Sequence, residues 1–293
     1  MTASYLIGVD GGGTGTRARL CGADGRPLGQ GQAGPSSLSH GVAGAWRQDR
    51  VRRRRGLRPG GPGPARRACS LGAGLAGVND PAQAAEFKAT DPGFAALALD
   101  TDSFTALVGA HDGEPGLVLI AGTGSIGEAW FADGSRRIVG GWGFPFGDEG
   151  SGGWLGLEAV RLAQHAIDGR AAPGPLADAV CRATGRTLEA MFAWCAQANQ
   201  TRFATLAPLV FEHEATDLRA AALLERAVQA LAELAQALDP AGALPIACSG
   251  SVARRLQARL PATLRARCRE PAGDAADGAL HLLRRQLAGG GPA

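Results

Sequence analysis

Three glycine-rich stretches carry residue types that could hold an anion. In the first, the apolar run Tyr5 to Val9 meets Asp10 and then Gly11, Gly12, Gly13, Thr14, Gly15 and Thr16. Glycines permit positive φ and let backbone N–H groups crowd around a phosphate, while Thr14 and Thr16 add hydroxyl donors. Asp10 would repel a phosphate by itself, but a carboxylate there can hold a Mg2+ that bridges to phosphate oxygens. The same residues also read as a hairpin whose glycines only turn the chain. The second stretch, Gly122-Thr123-Gly124-Ser125, ends the run Leu117 to Ala121, and the third, Ser249-Gly250-Ser251, ends Pro245 to Cys248. Facing one cleft, the three would outline a nucleotide, the first two on phosphates and the third near the base or ribose. No GxxxxGK[ST] sequence is present and no GxGxxG opens a helix, which excludes P-loop and dinucleotide-fold readings.

The elements that must position these turns follow from periodicity. Strand, tight turn and strand cover Tyr5 to Leu20. Cys69 to Val78 and Leu97 to Asp102 read as strands, the latter delivering Asp100, Thr101 and Asp102 at its end. Helices are expected at Pro81 to Thr90, Phe104 to His111, Trp154 to Asp168, Leu188 to Ala198, Thr201 to His213, Asp217 to Leu238, Val252 to Leu260 and Asp274 to Leu287. Gly31 to Ser39 reads as a loop, as does Gly140 to Gly153, which is too rich in glycine for regular structure. Strands and turns first, helices later, predict an α/β protein with two lobes, residues 1–116 and 117–293.

At 293 residues and 45% apolar content the chain can bury a substantial core. Without a long apolar run or a secretion signal the sequence predicts a cytoplasmic protein with no membrane partner. The six cysteines form no CxxC pair, which argues against a zinc site or a disulfide framework. The net charge of +3 is uneven: Arg47 to Arg67 holds nine arginines against Asp49, so the rest of the chain is acidic. Such local basicity does not by itself argue for nucleic acid.

In order and spacing, LIGVDGGGTGTRARL, the TD of Thr101-Asp102, LIAGTGS, GGWGFPFGDEGS and CSGSVA resemble the N-acetylglucosamine and glucosamine kinases. These are BadF/BadG/BcrA/BcrD-type ATPases within the sugar kinase, actin and heat-shock chaperone superfamily. The resemblance implies a two-lobed actin-like, ribonuclease H-like α/β fold with mixed sheets, whose last helix returns to the first lobe. It implies ATP-dependent phosphorylation of an amino sugar, at the 6-position, with Mg2+. Asp102 takes the place of the base that accepts the hydroxyl proton, the other reading being a helix N-cap. Gly12, Gly13, Thr14, Gly122, Thr123 and Gly124 match phosphate turns, Gly250 and Ser251 the adenosine side, and Asp10 the acidic position near the metal. Gly141, Gly143 and Asp148 match sugar contacts. Trp142 stacks on the sugar or anchors its loop, and Glu149 supports the metal or makes a salt bridge. A homodimer is one assembly the resemblance allows.

Two departures stand out. Ser37 replaces an asparagine that several relatives present to the sugar, losing an amide's paired donor and acceptor. Arg47 to Arg67 replaces an amphipathic helix. With a single lysine, Lys88, in an arginine-rich chain, it reads as a compensated frame shift in a GC-rich gene, or else as a basic arm for a polyanion. The rival functions are a non-catalytic sugar or nucleotide sensor and a reductase-activating ATPase, the latter needing cysteines grouped for an iron–sulfur cluster.

Overall fold

The structure is a computed structural model that describes residues 4–47 and 64–289. Of the arginine-rich segment Arg47 to Arg67, residues 48–63 lie outside the described residues. The chain divides into two compact units. One takes in the chain up to Gly116, Trp130–Ser135 and the stretch from Glu270 onward; the other takes in Leu117–Ala129 and Arg136–Arg269.

The first unit holds β1 (Tyr5–Gly11), β2 (Thr16–Gly22), β3 (Pro27–Ala33), β4 (Cys69–Leu75) and β5 (Ala96–Asp100) in the order β3-β2-β1-β4-β5. β1 and β2 pair as an antiparallel hairpin, while β1, β4 and β5 run parallel. This register puts Asp10, Gly74 and Asp100 on one rung at the strand ends. Every residue of β4 is buried, as a central parallel strand requires. Helix α1 is described over residues 42–47. Its Trp46 stacks on Phe87 of α2 (Pro81–Ala89) at 3.9 Å between ring centroids and donates Nε1–H to Thr90 Oγ1.

Helix α3 (Asp102–Ala110) and the last helix α12 (Ala275–Leu287) cover the sheet. α12 approaches so closely that a β-carbon on Gly72 of β4 would lie 2.1 Å from the Ala279 carbonyl oxygen. A side chain there would lift the helix off its strand.

The second sheet is built from β6 (Gly116–Ala121), β7 (Ser125–Trp130), β8 (Arg136–Gly140), β9 (Ile246–Ser249) and β10 (Cys268–Arg269), in the order β10-β9-β6-β7-β8. It repeats the first sheet's topology. In both, a hairpin closed by a glycine turn leads off and the fourth and fifth strands add beside the first. Among the helices between β8 and β9 are α4 (Gly152–Ile167), α5 (Pro175–Thr184), α6 (Leu188–Ala196), α7 (Gln200–Ala204), α8 (Ala207–Glu212) and α9 (Leu218–Leu238). The short α10 (Ser251–Leu256) and α11 (Ala262–Arg265) lie between β9 and β10. α9 buries Ala220, Leu223, Leu224, Ala227, Val228 and Leu231, the three-and-four spacing of one helix face.

The pattern-based reading differs from the structure at identifiable places. It has no strand at Pro27–Ala33, because PLGQGQA lacks β-formers; pairing with β2 and an edge position that tolerates Pro27 make this strand. It also lacks α5. The helix expected over Thr201–His213 is two, because Pro208 has no N–H to continue it. α4 begins at Gly152 rather than Trp154, since Ser151 caps it by accepting from Trp154 N–H at 3.2 Å.

Candidate functional site

In the first unit, Gly12 N–H donates to the Gly15 carbonyl at 3.0 Å and closes the turn between β1 and β2. None of Gly11, Gly12, Gly13 or Gly15 has positive φ. The expectation that these glycines serve positive φ is therefore corrected: they leave the backbone bare. A β-carbon on Gly13 would meet no atom within 4 Å, and one on Gly12 would first meet the Gly15 oxygen at 3.9 Å. Thr14 is exposed at the tip. Thr16 is not a ligand donor as expected, because its buried hydroxyl donates to the Gly34 carbonyl at 2.6 Å and bonds Ser36 Oγ at 2.7 Å.

Asp10 faces Arg17 across the hairpin register and accepts from its Nε at 3.1 Å and Nη2 at 2.7 Å. Burial opposes the Arg17 charge, but Asp10 and the more distant Asp274 outweigh it and raise its pKa. Hairpin register could have found this pair from the sequence. Among the described residues no three His, Cys, Asp or Glu side chains are grouped to cage a metal. A single strand-end carboxylate fits a Mg2+ that takes its other ligands from phosphates and water.

Asp102 is the first residue of α3. The N-cap is Thr101, whose Oγ1 accepts from Phe104 N–H at 3.0 Å, so the capping role considered for Asp102 belongs to its neighbour. The Asp102 carboxylate is partly exposed and accepts from Ser103 N–H at 3.1 Å. Asp100 accepts from Thr101 N–H at 2.8 Å. Ser37 is buried, with Oγ 2.7 Å from Ser39 Oγ and donating to the Ala76 carbonyl at 3.2 Å.

In the second unit the glycine turn is tied by both backbone and side chains, with Gly122 itself facing open space. Gly122 N–H donates to the Gly124 carbonyl at 2.9 Å. The first amides of α4 return the support, Gly152 N–H to the Gly122 carbonyl at 2.7 Å and Gly153 N–H to the Thr123 carbonyl at 3.0 Å. Asp148, buried and at φ 64°, accepts from Ser125 N–H at 2.9 Å and from Gln200 Nε2 at 2.6 Å. Burial raises its pKa against those two hydrogen bonds, and the Glu149 charge adds to the rise. Gln200, at the start of α7, also donates to the Thr123 carbonyl at 3.3 Å. Pattern reading missed Gln200, for nothing local marks a residue so far along the chain as part of this turn.

Gly250 stands at φ 87°, and a β-carbon on it would lie 2.3 Å from the Ala121 carbonyl oxygen. The pairing of β6 with β9, Ile120 opposite Ser249, thus brings the second and third glycine turns side by side. In the intervening loop Gly141 and Gly143 have positive φ, and Trp142 is 84% exposed. Its expected alternative as a buried anchor is overturned. Glu149 is exposed, and its carbonyl accepts from Ser125 Oγ at 2.7 Å.

A model of the BadF/BadG/BcrA/BcrD ATPase family matches residues 7–270. The glucosamine kinase GspK of Vibrio cholerae is 32% identical over 94% of this chain and 95% of its own. A solved structure from Chromobacterium violaceum, assigned as an N-acetylglucosamine kinase, is 47% identical with a TM-score of 0.92, covering 96% of this chain and 99% of the other. A ROK family glucokinase from Streptomyces griseus, at 16% identity over 96% of this chain and 99% of its own, shares the fold with a TM-score of 0.50.

Proposed function

Because the chain belongs to the BadF/BadG/BcrA/BcrD ATPase family and is a sugar kinase, we propose that it moves the γ-phosphoryl group of ATP to the 6-hydroxyl of glucosamine or N-acetylglucosamine. The observation that supports this reading is that Thr101, not Asp102, caps α3, which leaves Asp102, a partly exposed carboxylate just past the end of β5, as the candidate base for a sugar hydroxyl.

Phosphoryl transfer asks mainly for positioning and charge neutralisation. Gly13 N–H and the Thr14 hydroxyl bind phosphate oxygens, and Gly12, whose own N–H closes the turn, leaves the room for them to approach. The amides of Thr123 and Gly124 do the same beside the uncrowded Gly122, and Gly250 and Ser251 border the adenosine. Bound Mg2+ would neutralise phosphate charge, with Asp10 as the residue to hold it. Asp102 takes the proton of the attacking hydroxyl. The exposed Trp142 ring gives an apolar face for the pyranose, the backbone at Gly141 and Gly143 lies against its hydroxyls, and Asp148 accepts from them with lone pairs that Ser125 and Gln200 do not use. Ser37 shapes its loop instead of offering an amide pair to the 2-substituent, which leaves the choice between an acetylated and a free amine to the neighbouring backbone or water.

An ADP-release assay across glucosamine, N-acetylglucosamine and glucose, with Asp102→Asn as control and NMR of the product, tests this reading. Turnover of an amino sugar with phosphate on O6 is expected. No turnover of any sugar would end the substrate assignment, and phosphate on another oxygen would end the 6-position.

A further inference from the structure

Two cysteines of the second sheet lie outside this reaction yet stand beside its third glycine turn. Cys268 opens β10 and pairs with Ile246 of β9; strand alternation puts Cys248, two residues on, on the same face. The Cys268 thiol donates to the Leu264 carbonyl at 3.5 Å and has Cys248 as its hydrogen-bonding neighbour across the strands. Cys248 is buried and Cys268 half-buried. The hydrogen bond with Cys248 lowers the Cys268 thiol to about 7, against burial, with Arg267, Arg269 and Arg265 adding their fields. Arg267 is fixed by Asp239 and by donating to the Leu244 carbonyl at 2.9 Å, while Arg265 and Arg269 are exposed. Burial pushes the thiols of Cys21, Cys181 and Cys195 the other way. An oxidant therefore meets a thiolate first at Cys268.

We propose that Cys248 and Cys268 form a redox pair whose oxidation to a disulfide weakens nucleotide binding at the Ser249–Ser251 turn. The second half of this proposal rests on the nucleotide role given above; the disulfide does not. With hydrogen peroxide as oxidant, the Cys268 thiolate attacks one oxygen, the O–O bond breaks, and the departing hydroxide takes a proton to leave as water. The resulting sulfenic acid is attacked by Cys248, whose proton goes to the leaving hydroxide, and a second water departs as the S–S bond forms. Two electrons pass from the sulfurs to the peroxide. Cys268 pairs with Ile246, two residues short of Cys248, so closing the S–S bond across that offset strains the end of β9 along with the edge strand β10. Gly250 follows two residues after Cys248, packed on the Ala121 carbonyl with no space to absorb that strain.

The full chain is treated with hydrogen peroxide, alkylated, digested without reductant and analysed by mass spectrometry, and ADP binding is measured by equilibrium dialysis. A cross-linked peptide pair carrying Cys248 and Cys268 is expected, absent from Cys268→Ser. The Kd for ADP should rise roughly tenfold and return with dithiothreitol. In Cys248→Ala the Cys268 sulfenic acid should persist and be trapped by dimedone. Over-oxidation of Cys268 in the parent protein without a cross-link overturns the redox pair. A cross-linked protein that binds ADP as well as the reduced one overturns the coupling. Reduced protein that binds no ADP removes the nucleotide reading and the coupling together, while the cross-link still decides the pair.

Discussion

The β1–β2 and β6–β7 hairpins hold the same position in sheets of the same strand order, yet only the second glycine turn is tied by side chains as well as by backbone. At Gly12 and Gly13 the backbone is held by backbone bonds alone, Gly12 N–H to the Gly15 carbonyl and Ser36 N–H to the Gly12 carbonyl at 3.2 Å, and faces open space beyond them. At Gly122–Ser125 the backbone is tied by the amides of α4, by the buried Asp148 and by Gln200. The difference teaches that one glycine-and-threonine signature can mean a surface waiting for its ligand or a frame already set. Chemistry and architecture should then fail separately when each half is perturbed.

The largest expected effect tests the chemical half. Asp102→Asn keeps the Thr101 cap and the volume of the side chain, so kcat should fall about 10²–10⁴-fold with an unchanged melting temperature. A matching loss of stability would make Asp102 part of the frame and break the contrast. Next comes a pair of identical substitutions. Gly250→Ala puts a methyl into the Ala121 carbonyl at positive φ, and a loss of about 1–3 kcal/mol is expected by denaturant unfolding. Gly13→Ala has room, so stability should stay within about 0.5 kcal/mol. Its methyl would occupy the space a phosphate needs, and the KM for ATP should rise about tenfold, or about 1.4 kcal/mol. Unchanged ATP kinetics in Gly13→Ala would reduce the first turn to a plain hairpin.

Much of this arrangement was legible in the sequence, and the limits were physical. The three glycine turns, the Asp100–Asp102 strand end and the α/β class followed from local patterns, because a strand ending in glycine announces itself within a few residues. The duplicated sheet order did not, since β3 is held by register to β2 and not by its own residues, and β10 has only two. At the site one role had to be reassigned and another extended. Thr16 resembles Thr14 in sequence, but the pleat of β2 turns its hydroxyl inward to Gly34 and Ser36. Asp148 stands in a sugar-binding motif, yet its carboxylate also closes the second turn, a contact that depends on Gln200 of another helix.

The smallest effect is a pH dependence confined to the braced half. Burial gives Asp148 a folded pKa above its unfolded value. A carboxyl shifted in that direction holds its proton more tightly in the folded chain. Its contribution is therefore fully present below about pH 3.9, the unfolded value, and is lost as the pH rises through the folded pKa. Asp148→Asn keeps an acceptor for Ser125 N–H and does not titrate. Thermal melts taken upward from about pH 4 should accordingly show the parent protein losing stability relative to the asparagine variant, and the gap should level off once Asp148 is ionised. Parallel curves for the two proteins would mean that water reaches Asp148, and the second turn would then be no better shielded than the first.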